Sequence, residues 1–377
     1  MAVNRERLVA EFVKLVSIDS LSFQERKMAD YLKERWKELG VTLTEDDAAA
    51  RIGGNAGNLS GVLSAEEFSA ERRAQQEPVL FVAHMDTVSP GIGKRAIVHE
   101  DGTITSDGTT VLGADDAAAI AAILEAVREL REEKCPHREI QLLFSAAEEA
   151  YTVGASAFDF DAVTAKLAYC PDCSDVPGAY SAQEPTLISF RIRVHGRGAH
   201  AGFEPQNGVN AVAAAAAAIA RIPQGWTDDH TTLNFGRIAG GTASNAVPDL
   251  VTVEGEIRSA VHEDALAMYD RAMAVFAEEA DRIGASAEGE RAIRLRSYKI
   301  ADGDPALSLY ADVLRRRGIQ PYAKPSFGGS DNNVLVRNGI HGLCIYSAMH
   351  QCHTTKEYTT VGELSELTEI VKDLCRA

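Results

Sequence analysis

PVLFVAHMDTV, Pro78 to Val88, decides how the rest of the chain is read. Val79 to Ala83 form a short apolar run, the pattern of a strand buried on both faces in a parallel sheet. The run ends in His84-Met85-Asp86. Open α/β sheets place their ligand sites at the carboxyl ends of such strands. A neutral imidazole is a common metal ligand, and a carboxylate two residues on can steer it and raise its basicity. His-x-Asp alone is equally the signature of a satisfied histidine at a strand end, so the decision rests on the neighbouring segments.

Downstream, Leu112-Gly113-Ala114-Asp115-Asp116 leads into AAAIAAILEAVREL. This predicts a helix with Ile120, Ile123, Leu124 and Val127 on its apolar face. Aspartates at a helix start serve as cap and dipole partner, and one would suffice. Glu139 to Ser145 reads as a second buried strand, ending in Ala146-Ala147-Glu148-Glu149. Two adjacent carboxylates there are costly unless solvated, paired or on a metal. A third strand, Lys166 to Tyr169, leads into Cys170-Pro171-Asp172-Cys173. Strands alternating with helices predict a mostly parallel central sheet flanked by helices, an α/β fold.

Upstream, Arg5 to Ile18 reads as an amphipathic helix, with no secretory signal pattern. Ser22-Phe23-Gln24-Glu25 has capping-box spacing before a helix reaching Leu39, stopped by Gly40. Val41–Glu45 and Asn58–Leu63 read as strands, and the charged stretch from Leu63 to Pro78 as a surface insertion.

Near Ser181 the pattern changes. LISFRIRVHG alternates apolar and polar residues, as a half-exposed antiparallel strand does. Two helices follow among further strands, and the alanine run Ala213–Ala218 indicates close packing. The expected organisation is a catalytic domain over 1–183 and 297–377, interrupted by an inserted α+β domain over 184–296. The first domain resumes with a helix from Pro305, Gly328-Gly329-Ser330-Asp331, a strand at Leu343–Ser347, and HQCHTTKE, His350 to Glu357.

With 377 residues the chain exceeds one typical core. Its net charge of -17 disfavours nucleic acid and anionic membrane as partners. The six scattered cysteines fit reduced thiols and a cytoplasmic setting. No apolar run is long enough to span a membrane.

His84, Asp115 or Asp116, Glu148, Glu149, Asp172 and His353 together offer donors for two metals sharing one aspartate. Such an N/O set suits Zn²⁺, with Co²⁺ or Mn²⁺ also compatible. Two ions about 3.5–4 Å apart polarise a carbonyl and bridge a hydroxide nucleophile, while a carboxylate off the metals serves as general base.

The order HMD, GADD, AAEE, Asp172 and HTTKEY resembles the co-catalytic zinc peptidases, which include peptidase T, glutamate carboxypeptidases and aminoacylases. GGTASNAVPD, GGSDNNV and HTTKEY resemble the peptidase T branch in particular. The resemblance implies one zinc on His84, Asp115 and Asp172, and a second on Asp115, Glu149 and His353. It implies Glu148 as general base and Asp86 as the group steering His84, with Asp116 as the alternative bridge. It further implies substrate contacts from His200, Asn245, Arg258 and Gly329, and a homodimer through the inserted domain. The chain departs from the family at Ala117, where a Lys is usual, and at Cys173-Ser174, where Gly-Gly is common. The implied activity is removal of the N-terminal residue from short peptides. An aminoacylase or carboxypeptidase, or a non-catalytic binding protein, are the alternatives. Cys170, Cys173, Cys352 and His353 compose a rival Cys₃His zinc site on paper, and the CxxC pair a redox site.

Overall fold

The computed structural model describes residues 3–65 and 77–377. They form two compact units, one of the described residues up to Ala182 with Lys299–Pro325 and Ser330–Ala377, the other of Gln183–Tyr298 with Ser326–Gly329.

The first unit is built on the apolar runs. Every residue of the Val79–His84 strand is buried, as is every residue of Ile140–Ser145. In spatial order the sheet runs Thr44–Glu45, Leu59–Leu63, Ile140–Ser145, Val79–His84, Leu167–Ser174, His341–Ser347 and Ala179–Glu184. The four central strands are parallel, and antiparallel strands flank them. Their carboxyl ends therefore lie on one edge, and His84 pairs level with Ser145.

The third strand does not stop at Tyr169; it continues to Ser174. Pro171 pairs with Ile345 and Cys173 with Tyr346, so Asp172 is the extra residue of a bulge. A proline has no N–H for the ladder and is tolerated at such an irregularity. A bulge also re-aims the side chain it carries.

The helix Ala114–Glu132 was expected to bury one face, yet it is buried all round from Ala114 to Leu130. Its alanines let the helices Arg5–Val16 and Val361–Arg376 pack closely on it. Its buried charges Glu125, Arg128 and Glu129 are paired rather than solvated. Arg7 meets Glu125 at 2.7 Å, and the buried Lys372 meets Glu129 at 2.8 Å. Removing one partner of such a pair costs about 3–5 kcal/mol, because the other charge stays buried.

The N-terminal expectation needs correcting. The helix Arg26–Glu38 takes no cap hydrogen bond from the Glu25 side chain, and its first N–H is accepted by Asn55 at 2.9 Å, so the Ser22–Glu25 spacing does not cap it. The strand expected at Val41–Glu45 shortens to Thr44–Glu45. The insertion expected between Leu63 and Pro78 falls largely outside the described residues. Among the described residues, no helix is long and apolar enough to cross a membrane.

The second unit is an antiparallel sheet in the order Gly225–Trp226, Thr231–Gly240, Leu250–Ser259, Thr186–His195, Ser286–Leu295. Alternation puts Ile188, Phe190, Ile192 and Val194 against the helices Ala211–Arg221 and His262–Asp281. Ala214, Ala215 and Ala218 pack into that core, as the alanine run implied. The other face carries ion pairs such as Arg191–Glu254 at 2.8 Å and Arg193–Glu290 at 3.2 Å. That face is solvated and needs no apolar cover.

Candidate metal centre

Strand ends and the loops after them supply the site. His84 closes one central strand, Glu148 and Glu149 follow the next, Asp172 sits on the bulge, and His353 follows His341–Ser347. Asp115 and Asp116 precede the regular part of their helix: both have non-helical dihedrals, after a Gly113 at φ 76°. Only glycine adopts that φ freely, and a side chain there would also press on Lys94.

The donor atoms converge. His84, Asp115 and Asp172 form one group whose ligand atoms all lie within 4.8 Å of one another, and Asp115, Glu149 and His353 form another. Asp115 belongs to both, while Asp116 belongs to neither among the described residues. Asp116 instead accepts the backbone N–H of His84 at 3.3 Å. A third group joins His84 to Glu148 and Glu149. None of the three contains a cysteine, so the thiolate site read from CxxC is not assembled among the described residues.

The distances inside the cluster are short. His84 Nε2 lies 2.9 Å from Asp115, and His353 Nε2 lies 2.8 Å from Glu149 and 3.4 Å from Asp115. His84 Nδ1 lies 2.9 Å from the carbonyl oxygen of Asp86. A carbonyl only accepts, so Nδ1 carries a proton there, while Nε2 faces the Asp115 carboxylate. The Asp86 carboxylate stands at 3.4 Å from the ring, so the backbone of Asp86 does more of the steering than its side chain.

Electrostatics show how crowded the site is. Burial alone would lower the His84 imidazole, but Asp115 and Asp86 outweigh it and hold it well above its ordinary value. Hydrogen bonds to Asp115 and Glu149 raise His353 to about 10. Burial would raise Asp115, yet the two histidines hold it below the usual carboxylate range. Loss of water pushes Glu148 and Asp172 well above that range, each also repelled by neighbouring carboxylates. Burial raises Glu149 against its hydrogen bond to His353. Two imidazoles among this many carboxylates match the donor chemistry of divalent first-row ions, whose charge would offset the crowding.

The remaining residues singled out in the sequence lie in the second unit. His200 is exposed, its Nδ1 accepting the N–H groups of Gly202 and Phe203 at 3.1 Å. Asn245 is exposed and binds Ala201 through its carbonyl. Arg258 is partly buried, held by Glu256 at 2.9 Å and the Phe327 carbonyl at 2.7 Å. Gly329 is half-buried in the short Ser326–Gly329 segment.

Sequence reading passed over several groups that serve this centre. Glu357 is buried and accepts the N–H groups of Gly113 and Asp115. Asp331 is buried and bonded to the Ser145 hydroxyl. Ser22 and Glu25 also reach the centre. Each stands in a stretch quoted above, but local spacing does not tell what it binds.

Residues 183–283 match the family model of the peptidase dimerisation domain, and residues 67–167 match that of peptidase family M28. The protein YqjE of Bacillus subtilis is 37% identical over 98% of this chain and 97% of its own length. Among solved structures, aminopeptidase PepT from Bacillus cereus is similar at TM-score 0.89 and 37% identity, covering 99% of this chain and 98% of that one. A tripeptidase from Staphylococcus aureus is similar at TM-score 0.93 and 32% identity, covering 100% and 99%.

Proposed function

This chain belongs to the peptidase T-like family of peptidases, and on that premise we propose that it is a metal-dependent aminopeptidase of short peptides, acting on tripeptides. The observation that carries the metal reading is the pair of donor groups sharing Asp115. His84, Asp115 and Asp172 would hold one ion, and Asp115, Glu149 and His353 the other. We take the ions as Zn²⁺, with Co²⁺ or Mn²⁺ able to replace them. Ions held there would polarise the scissile carbonyl and acidify a water at neutral pH.

The chain's own groups do the rest. Glu148 takes the proton of the attacking water and returns a proton to the leaving amine. Its neighbour Glu149 stays with the metals. Asp86 fixes the His84 tautomer through its carbonyl and holds the Glu148–Glu149 turn through its carboxylate. We assign Arg258 to a substrate carboxylate, His200 to the developing oxyanion, and Asn245 and Gly329 to the peptide backbone, on the strength of the family pattern. The domain over 184–296 would carry the dimer contact. We place the chain in the cytoplasm on the strength of its few, scattered cysteines.

The test is an assay of tripeptides against N-acyl amino acids, with chelator and with restored metal. Tripeptide hydrolysis that chelation abolishes and Zn²⁺, Co²⁺ or Mn²⁺ restores is the expected result. Hydrolysis of N-acyl amino acids alone would make the chain an aminoacylase. Inertness toward both, with metal bound, would make it a binding protein.

A further inference from the structure

Ser22-Phe23-Gln24-Glu25 has the spacing of a helix cap and caps nothing. The Ser22 and Glu25 side chains turn inward instead. The Ser22 hydroxyl donates to Asp86 Oδ2 at 2.7 Å. Glu25 is fully buried, and its Oε1 accepts the N–H groups of Phe23 at 2.7 Å and Ala147 at 3.0 Å. Ala147 is the residue before Glu148, and its φ of 49° lies in the left-handed region. A non-glycine residue is held there only when its surroundings insist on it.

Four successive backbone N–H groups in this turn are bound by side chains. Asn58 Oδ1 takes Ala146 at 3.1 Å and Glu25 takes Ala147. Asp86 takes Glu148 at 2.9 Å and Glu149 at 3.2 Å. The acceptors come from three places far apart in the chain. A buried carboxylate is expensive, and Glu25 Oε2 has no partner among the described residues. The helix that follows does not use Glu25 as a cap, so its position is accounted for by the turn it holds.

We propose that Glu25, with Ser22 acting through Asp86, is a positioning residue that sets the direction of the Glu148 and Glu149 side chains. This deepens the peptidase reading and rests on it. Glu25 touches neither substrate nor the reacting atoms. It supplies an oxygen that keeps the turn in its left-handed form, so that both carboxylates meet the site at fixed distance. Small misplacements of such groups are costly to rate.

The experiment compares Glu25→Ala, Glu25→Gln and Ser22→Ala with the wild-type chain for kcat and KM on a tripeptide, bound zinc per chain, thermal melting, and the visible spectrum of the Co²⁺-loaded protein. Glu25→Ala should lower kcat by about 10- to 100-fold, with KM held within about twofold and zinc content unchanged. Glu25→Gln keeps an oxygen acceptor and should recover most of that loss. Ser22→Ala should lower kcat by a smaller factor. The Co²⁺ bands of Glu25→Ala should shift, because Glu149 moves. Unchanged kcat and bands in Glu25→Ala overturn the proposal, as does a Glu25→Gln variant as slow as Glu25→Ala. Should Glu25→Ala fail to fold, full kcat and unshifted bands in Ser22→Ala overturn it. A wild-type chain inert toward every peptide would sink the peptidase reading instead, and the Co²⁺ spectra would still decide this one.

Discussion

The Glu357 carboxylate accepts the backbone N–H of Asp115 at 3.0 Å, joining two residues that lie 242 positions apart. Its second oxygen accepts the N–H of Gly113 at 2.7 Å. Glu357 follows His353 by four residues, so one loop both presents a donor and grips the backbone of the shared aspartate. Burial raises its carboxyl to about 7, against the hydrogen bonds from Gly113 and Asp115.

Glu357→Ala should therefore weaken both metal positions together, since both use Asp115. Outer groups of this kind are worth about 10–100-fold in metal affinity. Competition with a chelating dye measures it. Loss confined to one of the two ions would show that Asp115 is not shared.

Glu148→Gln should keep two ions per chain and lose about 10²–10⁴-fold in kcat. The amide matches the carboxylate in shape but cannot take a proton. Because Glu148 also falls in a donor group with His84 and Glu149, metal analysis is the deciding measurement. A drop in bound metal would make it a ligand.

Replacing Cys170 and Cys173 with Ser should leave metal content intact, since none of the donor groups includes a cysteine. The hydroxyls enter a packed strand, so stability should fall by about 1–3 kcal/mol. Loss of one zinc would revive the thiolate site.

Lys94 is buried, with its ammonium donating to the Ile18 and Gly91 carbonyls at 3.1 and 3.2 Å. Burial lowers it from 10.5 to about 8, against the opposing pull of Asp19 and Glu357. Between those values the unfolded chain binds the extra proton, so stability rises with pH there and the penalty is fully present below pH 8. Relative to Lys94→Met, the wild-type chain should gain up to about 1.4 kcal/mol per pH unit in that window. Denaturant melts at pH 7, 8.5 and 9.5 would show it. A difference that is flat with pH would mean the amine is not forced to discharge.

The inserted domain matches a dimerisation family over residues 183–283, and the chain should sediment as a dimer at assay concentration. Mixing Glu148→Gln with His200→Ala under subunit exchange tests whether His200 serves its partner's site. Recovered activity in mixed dimers is the outcome if it does. Proven exchange without recovery places His200 in its own chain, and a monomer removes the interface.

The runs at Val79–Ala83 and Ile140–Phe144 determined the parallel sheet by themselves, because strands buried on both faces are apolar nearly throughout, Gln141 being the one polar residue of the two runs. The polar residues that end those runs, and His353 further on, were legible as a metal set because their types and order are written along the chain. Which aspartate belongs to both donor groups was not legible in the residues alone. Asp115 and Asp116 are chemically identical neighbours, and only the backbone leading out of Gly113 sends one to both donor groups and the other to the His84 N–H. Asp172 likewise owes its aim to a bulge that appears only when its strand pairs with His341–Ser347. Glu25, Ser22 and Glu357 were misread or passed over for one physical reason. A side chain's hydrogen bond to a backbone N–H, or for Ser22 to a carboxylate, 64 to 244 residues away leaves no mark on local periodicity. Tertiary folding alone decided that these three hold the segments that carry Asp115, Glu148 and Glu149.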